Sequence, residues 1–234
     1  MRSAGCIVND LIDTEIDKKV IRTKNRALAS SKISIKNALI LLLTLLIIGF
    51  LILIQLNFEA IILGIVITPL IALYPLAKRF FILPQFILAL TYNWGCFIGW
   101  AAIGSNIPFS SICILYLSLI FWTLTYDTIY ATQGENEDKD LNLYSSTLLF
   151  GSKKVIILNI MIITKYFLII FYGTSLDFGI LFKILIITIF IINLIDINFV
   201  WKNKPEKASS YFSRNNYYGI SLLFSIIIGS HFNV

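Results

Sequence analysis

The stretch IKNALILLLTLLIIGFLILIQL, residues 35–56, decides the fold of this chain. As a helix it would be apolar on every side, and its single charged residue, Lys36, lies next to its start. A helix needs about 20 mostly apolar residues to cross the hydrocarbon core of a membrane. This stretch therefore predicts a membrane-spanning helix.

The segments after it repeat the pattern. Apolar residues make up 58% of the 234 residues, and the mean hydropathy is +0.84, far above the range of soluble domains. Because this composition extends over the whole chain, we predict a single domain, 1–234, with an all-α fold: a polytopic transmembrane helical bundle of about seven spans. The six further predicted spans are 58–76, 82–103, 108–131, 155–172, 178–200 and 217–232.

Positive charge separates the two sides of the predicted bundle. Of the 19 Lys and Arg residues, all except Lys165 and Lys183 fall before the first span, at its edge (Lys36) or in the loops after every second span. The positive-inside rule places these loops in the cytoplasm. The net charge of +6 is thereby explained by topology, and no nucleic-acid partner is predicted.

A zinc or redox site, and a nucleophile relay or metal cage built on histidine, are disfavoured by the few cysteines and the single histidine. Cys6, Cys96 and Cys113 show no CxxC spacing, and the single histidine, His231, lies near the end of the sequence. The N-terminal residues lack the apolar length of a signal peptide. The remaining candidate functional residues are acidic.

The first acidic segment lies within residues 1–34, on the predicted cytoplasmic side. Asn9, Asp13 and Asp17 are spaced i, i+4, i+8, so a helix would project them from one face. Such oxygen ligands suit Mg²⁺, which takes one or two carboxylates together with waters and substrate phosphates. Arg22 and Arg26 follow at the same spacing, and carboxylates flanked by guanidinium groups fit a metal-neutralised polyphosphate.

The second acidic segment, YDTIYATQGENEDKD, leaves the fourth predicted span and opens the loop 132–154. Asp127 still lies within the apolar run, where an ionisable group is costly and is a functional candidate by default. Plain alternatives exist: the acidic loop as solvated surface, the basic run as a topology signal or lipid contact, and Asp127 as a partner for a neighbouring helix. Two acidic segments on one side of a membrane bundle favour a metal–diphosphate site.

Three stretches resemble the UbiA superfamily of prenyltransferases over essentially the whole chain. The first signature, NDxxDxxxD with an RTxxRPLAS-type continuation, matches NDLIDTEIDKKVIRTKNRALAS. The second matches YDTIYATQGENEDKDLNLYSSTLLFG in the form found in 4-hydroxybenzoate polyprenyltransferases. The stretch YPLAKRFFILPQFILALTYNWGCFIGWAA is similar to that branch, and favours it over the haem and menaquinone branches.

The resemblance implies an enzyme of ubiquinone biosynthesis in the bacterial inner membrane, with a polyprenyl diphosphate and 4-hydroxybenzoate as substrates and the bilayer around it. It implies Mg²⁺ as cofactor. The candidate residues it suggests share charge or a motif position. They are Asn9, Asp13, Asp17 and Asp138 for the metal, Arg22, Arg26 and Lys153 for the substrate, and Asp13, Asp17, Tyr126 and Asp127 for catalysis.

The sequence departs from the family pattern at named positions. Gly134 stands where the second motif has its leading aspartate, so one of two expected ligands is missing, and Glu135 or Glu137 could replace it. Ala27 and Ser31 replace the proline and glycine of RPLASG, which we expect to alter a turn.

The family also has helical segments before the position at which this sequence starts. We therefore expect either a misassigned start or a truncated gene. The remaining functional hypotheses are a prenyltransferase of another UbiA branch, an inactive membrane remnant and, more weakly, a transporter. Prenyltransferase activity on 4-hydroxybenzoate is the leading prediction.

Overall fold

A computed structural model of the chain describes residues 2–20, 23–202 and 207–231. Over these residues the secondary structure is helical and contains no strand, which confirms the predicted all-α class. The α-helices, in chain order, are α1 (Arg2–Asp17), α2 (Ile35–Leu53), α3 (Phe58–Val66), α4 (Thr68–Leu73), α5 (Ala77–Phe80), α6 (Pro84–Asn93), α7 (Gly95–Ala102), α8 (Phe109–Ala131), α9 (Glu135–Asp140), α10 (Ser146–Phe150), α11 (Lys154–Thr174), α12 (Ile180–Lys202) and α13 (Ala208–His231).

Five helical stretches of the described chain are long and apolar enough to cross a membrane: Ile35–Leu53, Phe58–Phe80, Phe109–Asp140, Ser146–Thr174 and Ile180–Phe199. They correspond to five of the seven predicted spans. In α2 only Ala38 is buried, and large apolar side chains are exposed on the remaining faces. A helix that is apolar all round and still exposed needs lipid as its solvent.

The predicted count of seven spans is not confirmed. Residues 82–103 form two helices, α6 and α7, which are interrupted at Trp94. Next to this break, the Asn93 side chain donates hydrogen bonds to the Ala89 and Leu119 carbonyl oxygens and to Thr123 Oγ1 at 2.8–3.1 Å. The last predicted span overlaps α13, which begins nine residues before it with the polar stretch ASSYFSRNN and is described as far as His231.

The chain divides into two compact units, of which the first comprises Met1–Phe81 and Phe97–Ser105. Within it, α1 packs on α2, on α4 and on the 3-10 turn Tyr74–Leu76. The second predicted span is interrupted at Ile67, between the end of α3 at Val66 and the start of α4 at Thr68, where Pro69 cannot donate a backbone hydrogen bond. The division does not test the single-domain prediction, which stays a prediction.

The second unit comprises Ile82–Cys96 and Asn106–Val234, and its core lies among α8, α11, α12 and α13. Helices α11 and α12 approach each other closely at Gly173, where an added Cβ would lie 2.1 Å from the Phe182 ring. The fully buried Ile162 and Ile186 belong to the same core. Close packing of this kind is the main source of association between helices in lipid.

One basic side chain is buried in this core. Lys165 Nζ lies 4.0 Å from the centroid of the Tyr166 ring and 5.1 Å from that of Trp122, both within cation–π range. Nζ also lies 3.4 Å from Asn193 Oδ1, and Asn193 donates in turn to the Tyr211 hydroxyl at 3.1 Å. Lys165, which lies outside the charged loops, thus has polar and aromatic neighbours inside the bundle.

Candidate functional site in two acidic segments

The first acidic segment is helical. Because α1 runs from Arg2 to Asp17, Asn9, Asp13 and Asp17 lie one turn apart on one face, as their spacing predicts. Asp13 is 6% exposed and Asp17 is 5% exposed. Two carboxylates this deeply buried need partners, since an isolated buried charge is strongly unfavourable.

Two arginines supply these partners within the first unit. Arg26 Nη1 donates to Asp17 Oδ2 at 2.9 Å and to Asp10 Oδ1 at 3.1 Å. Arg79 Nη2 donates to Asp13 Oδ1 at 3.3 Å and to the Ile12 carbonyl oxygen at 3.2 Å. Each of the two buried carboxylates is thus held by an arginine through one of its two oxygens, Oδ1 of Asp13 and Oδ2 of Asp17.

The close carboxylates affect one another. Burial raises the pKa of Asp10 above its ordinary value, Arg26 opposes this increase, and the negative charge of Asp17 adds to it. Three carboxylates of the segment, those of Asp10, Asp13 and Asp17, thus share two arginine partners, Arg26 and Arg79.

One arginine of the basic stretch contacts the acidic helix. Arg26, a predicted substrate ligand, donates to Asp10 and Asp17, and its role as a ligand stays a prediction. Arg22, its predicted companion, lies outside the described residues. Sequence reasoning missed Arg79 as a member of the site, although it belongs to the quoted stretch YPLAKRFF. That stretch was available as a signal, but its contact with Asp13 spans 66 residues of sequence.

The second acidic segment, in the second unit, is more ordered than the predicted loop. A 3-10 turn at Thr132–Gly134 leads into α9, and α10 and a further 3-10 turn at Gly151–Lys153 follow. Asp138 lies in the first turn of α9 and is half-buried. Lys153, a predicted substrate ligand, is exposed, whereas its neighbour Lys154 is half-buried and forms an ion pair with Glu135.

Two of the quoted motif stretches meet around α10. The buried Gln85 side chain accepts a hydrogen bond from the Ser146 backbone N–H at 3.0 Å, through Oε1. Thr128 Oγ1 donates to Ser146 Oγ at 2.7 Å. The stretch containing PQ, the YDT motif and the ST motif thus share one buried hydrogen-bond network. This network fixes the start of α10, which follows the acidic helix α9, to the C-terminal half of α8.

The aromatic residues of the YDT motif face α13. The Tyr126 ring lies edge-on to Phe212 at a centroid distance of 5.6 Å, and the Tyr130 ring lies 4.8 Å from the same Phe212 ring. Asp127, between them in sequence, is half-buried on α8. Phe212 carries no motif signal, so sequence reasoning missed it.

The donor set suits a hard divalent cation. Among the described residues, no three His, Cys, Asp or Glu side chains are grouped closely enough to hold a metal by themselves. Mg²⁺ does not need such a cage, because it commonly takes one or two carboxylates and completes its shell with water and substrate phosphates. Asp13 and Asp17, buried one turn apart with oxygen donors only, fit that pattern.

Fold and site together define a class of helical membrane protein. Its members carry acidic side chains on short or terminal helices, and arginine or lysine side chains form ion pairs with them. Within that class the chain belongs to the UbiA prenyltransferase family, whose family model matches residues 1–223. The predicted resemblance is thereby confirmed.

Curated relatives support the same branch. The chain is 41% identical over 179 residues to a 4-hydroxybenzoate octaprenyltransferase of Francisella tularensis subsp. novicida, a match that covers 76% of this chain and 63% of the relative. It is 44% identical over 151 residues to a mitochondrial 4-hydroxybenzoate polyprenyltransferase of Drosophila pseudoobscura pseudoobscura, covering 64% of this chain and 38% of the relative. The chain thus spans less than two thirds of the length of these relatives.

Two solved structures share the fold. The UbiA homologue from Aeropyrum pernix K1, in its apo form, matches with a TM-score of 0.79 at 23% identity, covering 97% of this chain and 84% of that chain. A digeranylgeranylglyceryl phosphate synthase matches with a TM-score of 0.69 at 23% identity, covering 97% and 80%. At this identity the likeness confirms the UbiA-like helical fold alone.

Proposed function

We propose that this chain transfers a polyprenyl group from a polyprenyl diphosphate to the ring of 4-hydroxybenzoate, in ubiquinone biosynthesis, with Mg²⁺ as cofactor. The observation that carries the proposal is the pair Asp13 and Asp17, buried one turn apart on α1, each beside an arginine. The chain that holds this pair is 41% identical to a protein named 4-hydroxybenzoate octaprenyltransferase.

The first acidic segment is the proposed leaving-group site. Asn9, Asp13 and Asp17 would hold Mg²⁺ in this segment, and Asp138 would be a Mg²⁺ ligand in the second segment. A bound Mg²⁺ supplies charge neutralisation for the departing diphosphate. Arg26 uses Nη1 for both of its carboxylate partners, and a guanidinium carries further N–H donors on Nε and Nη2. These donors, with Arg22 and Lys153, are proposed to bind phosphate oxygens.

The reaction then needs little covalent participation from the protein. The allylic C–O bond breaks, and its electron pair leaves with the diphosphate. The ring carbon next to the phenol oxygen forms the new C–C bond, and the proton on that carbon is lost as aromaticity returns. Preorganised positive charge at the diphosphate lowers the barrier, because it is aimed where negative charge develops.

The acceptor end is proposed to lie near the YDT motif. Tyr126 and Asp127 would orient the ring, and the Phe212 contact fixes the Tyr126 ring for that purpose. Aromatic faces also stabilise a nearby carbocation through their negative quadrupole, and apolar walls exclude water from it. Both effects suit an allylic cation that must survive until the ring attacks.

The proposed location is the bacterial inner membrane, with both acidic segments on the cytoplasmic side. Support comes from the five apolar helical stretches and from the concentration of Lys and Arg in alternate loops. The polyprenyl tail would then lie in the bilayer with its diphosphate at the cytoplasmic rim.

One observation favours a different outcome. Gly134 occupies the position of an acidic residue in the second motif, which is compatible with a membrane protein that no longer catalyses transfer. A prenyltransferase of another UbiA branch, acting on a different ring, remains the alternative within the enzyme class.

An acceptor comparison tests these possibilities. The chain is expressed in bacterial membranes that lack prenyltransferase activity, and labelled 4-hydroxybenzoate or labelled 1,4-dihydroxy-2-naphthoate is supplied with a polyprenyl diphosphate and Mg²⁺. Asp140→Asn, at an exposed position, serves as the matched control for Asp13→Asn. Lipid-extractable product from 4-hydroxybenzoate supports the proposal, and product from the naphthoate alone supports another branch. No product from stable, inserted protein contradicts both.

A further inference from the structure

An ion pair joins α12 to α13 in the second unit, outside both acidic segments. Arg214 Nη2 donates to Asp196 Oδ1 at 2.6 Å, and Arg214 Nε donates to Asp196 Oδ2 at 2.9 Å. The Tyr218 hydroxyl donates to the same Oδ2 at 2.9 Å. Asp196 lies within the apolar stretch Ile180–Phe199, and its side chain is 15% exposed. An ionisable residue in such a stretch is a functional candidate, and the proposed reaction uses neither member of this pair.

The pair constrains the rotation of α13. Two parallel N–H···O bonds between a guanidinium and a carboxylate fix the relative direction of the two side chains as well as their distance. Arg214 extends from α13, and Asp196 extends from α12. A turn of α13 about its own axis would therefore break both bonds and leave a carboxylate without its charged partner in an apolar environment, which is strongly unfavourable.

The opposite side of α13 contacts the YDT motif. Phe212 precedes Arg214 by two positions, so the two side chains leave the helix about 200° apart around its axis. The Phe212 ring lies 5.6 Å from the Tyr126 ring and 4.8 Å from the Tyr130 ring of α8, between centroids. One flank of α13 is thus bound to α12 by charge, and the other packs on the proposed acceptor end.

The face between these flanks is also hydrogen-bonded to both neighbours. Asn215 Oδ1 accepts from the Trp122 indole N–H of α8 at 3.0 Å, and Asn215 Nδ2 donates to the Tyr211 carbonyl oxygen at 2.9 Å. The buried Tyr211 hydroxyl accepts from Asn193 of α12 at 3.1 Å. The orientation of α13 therefore determines which of its side chains α8 meets.

We propose that Asp196 and Arg214 are positioning residues for the acceptor: their ion pair holds α13 in the rotation at which Phe212 keeps the Tyr126 ring in place. The inference rests on the proposed function, because it takes Tyr126 as a group that orients 4-hydroxybenzoate. The proposed metal and diphosphate ligands lie on other helices, among them α1 and α9. The pair should consequently affect use of the acceptor and leave binding of the prenyl diphosphate unchanged.

Fluorine NMR tests the positioning step without turnover. The chain is labelled with 5-fluorotryptophan in lipid nanodiscs, and Trp122→Phe identifies the Trp122 resonance among the four tryptophans. Because Trp122 donates to Asn215, its resonance reports the orientation of α13. We expect Arg214→Gln to shift this resonance. Lys207→Gln, which removes the same charge from an exposed side chain just before α13, should leave it in place.

Steady-state kinetics tests the consequence for the acceptor. In Arg214→Gln we expect kcat/KM for 4-hydroxybenzoate to fall by roughly 10- to 100-fold, the scale of a slightly misplaced substrate, with the KM for the prenyl diphosphate close to that of the parent. The double variant Asp196→Asn with Arg214→Gln should lose less than the two single changes together, since it leaves no unpaired charge. Lys207→Gln should match the parent in both constants.

The outcomes separate this inference from the proposed function. An active parent whose Arg214→Gln variant keeps the parent's kinetics for 4-hydroxybenzoate, or an unshifted Trp122 resonance, overturns the inference and leaves the proposed function standing. An equal loss for both substrates overturns it too, because it indicates a general loss of structure. A stable parent that transfers no prenyl group to 4-hydroxybenzoate overturns the proposed function, and the inference with it.

Discussion

The guanidinium of Arg26 lies 2.9 Å from Asp17 Oδ2, across a turn that brings the basic stretch back onto the acidic helix. The same Nη1 reaches Asp10. The first acidic segment is therefore a folded unit of carboxylates and their arginine, before any substrate arrives. Preorganisation of this kind is what electrostatic catalysis requires, since the charges need not rearrange during the reaction.

Removal of the Arg26 charge should destabilise this segment. Arg26→Gln leaves the buried Asp17 carboxylate without its charged partner, which we expect to cost about 1–3 kcal/mol. Arg26→Lys keeps the charge but not the fork geometry, so it should fall between Gln and the parent. Thermal unfolding in detergent measures the difference, and a Gln variant as stable as the parent would argue against the pairing.

Replacing Ser31 by glycine, the residue of the family pattern at this position, should stabilise the protein. Its φ is +58°, in the left-handed region that disfavours a side chain. Ser31→Gly should therefore raise the free energy of unfolding by about 1 kcal/mol. Ser31→Ala retains the Cβ and should bring no gain. If the two variants were equally stable, the strain at this turn would be disproved.

Gln85 should control the mobility of α10. Gln85→Leu removes the oxygen that accepts from the Ser146 N–H, whereas Gln85→Glu keeps an acceptor of the same length. Hydrogen exchange at Ser146 should accelerate in the Leu variant by roughly tenfold or more, the effect of losing about 1.4 kcal/mol. The Glu variant should exchange close to the parent rate. Equal exchange in all three proteins would show that another contact holds α10.

A carboxylate restored at position 134 should strengthen metal binding. The φ of Gly134 is −112°, which any L-residue adopts, so the backbone permits Gly134→Asp. We expect tighter Mn²⁺ binding by this variant than by the parent, because a second acidic ligand joins the segment. Gly134→Asn adds similar volume without charge and is the matched control. Identical affinities for the parent and Gly134→Asp would place position 134 away from the ion.

The features that sequence predicted well depend on local pattern. Apolar runs identified the spans at 35–56 and 108–131, and the four-residue spacing placed Asn9, Asp13 and Asp17 on one helical face. Both follow from the geometry of a single helix. The motifs also predicted the 4-hydroxybenzoate branch of the family, because a motif match rests on many positions of a stretch together.

The features that sequence missed depend on contacts between distant residues. The break at Trp94 lies within a stretch predicted as one span, and the tertiary hydrogen bonds of Asn93 beside it appear only in the fold. The contact of Arg79 with Asp13 and the ion pair of Arg214 with Asp196 likewise depend on tertiary packing.

The most direct test of the account is the Mg²⁺ dependence of prenyl transfer by this chain. Labelled 4-hydroxybenzoate and a polyprenyl diphosphate are supplied to membranes that contain the parent or Asp13→Ala, and lipid-extractable label is measured as Mg²⁺ is raised and then removed with a chelator. The account predicts product that rises with Mg²⁺, disappears on chelation and is absent in Asp13→Ala. Product that persists in Asp13→Ala or after chelation, or its absence from inserted parent protein, would contradict it.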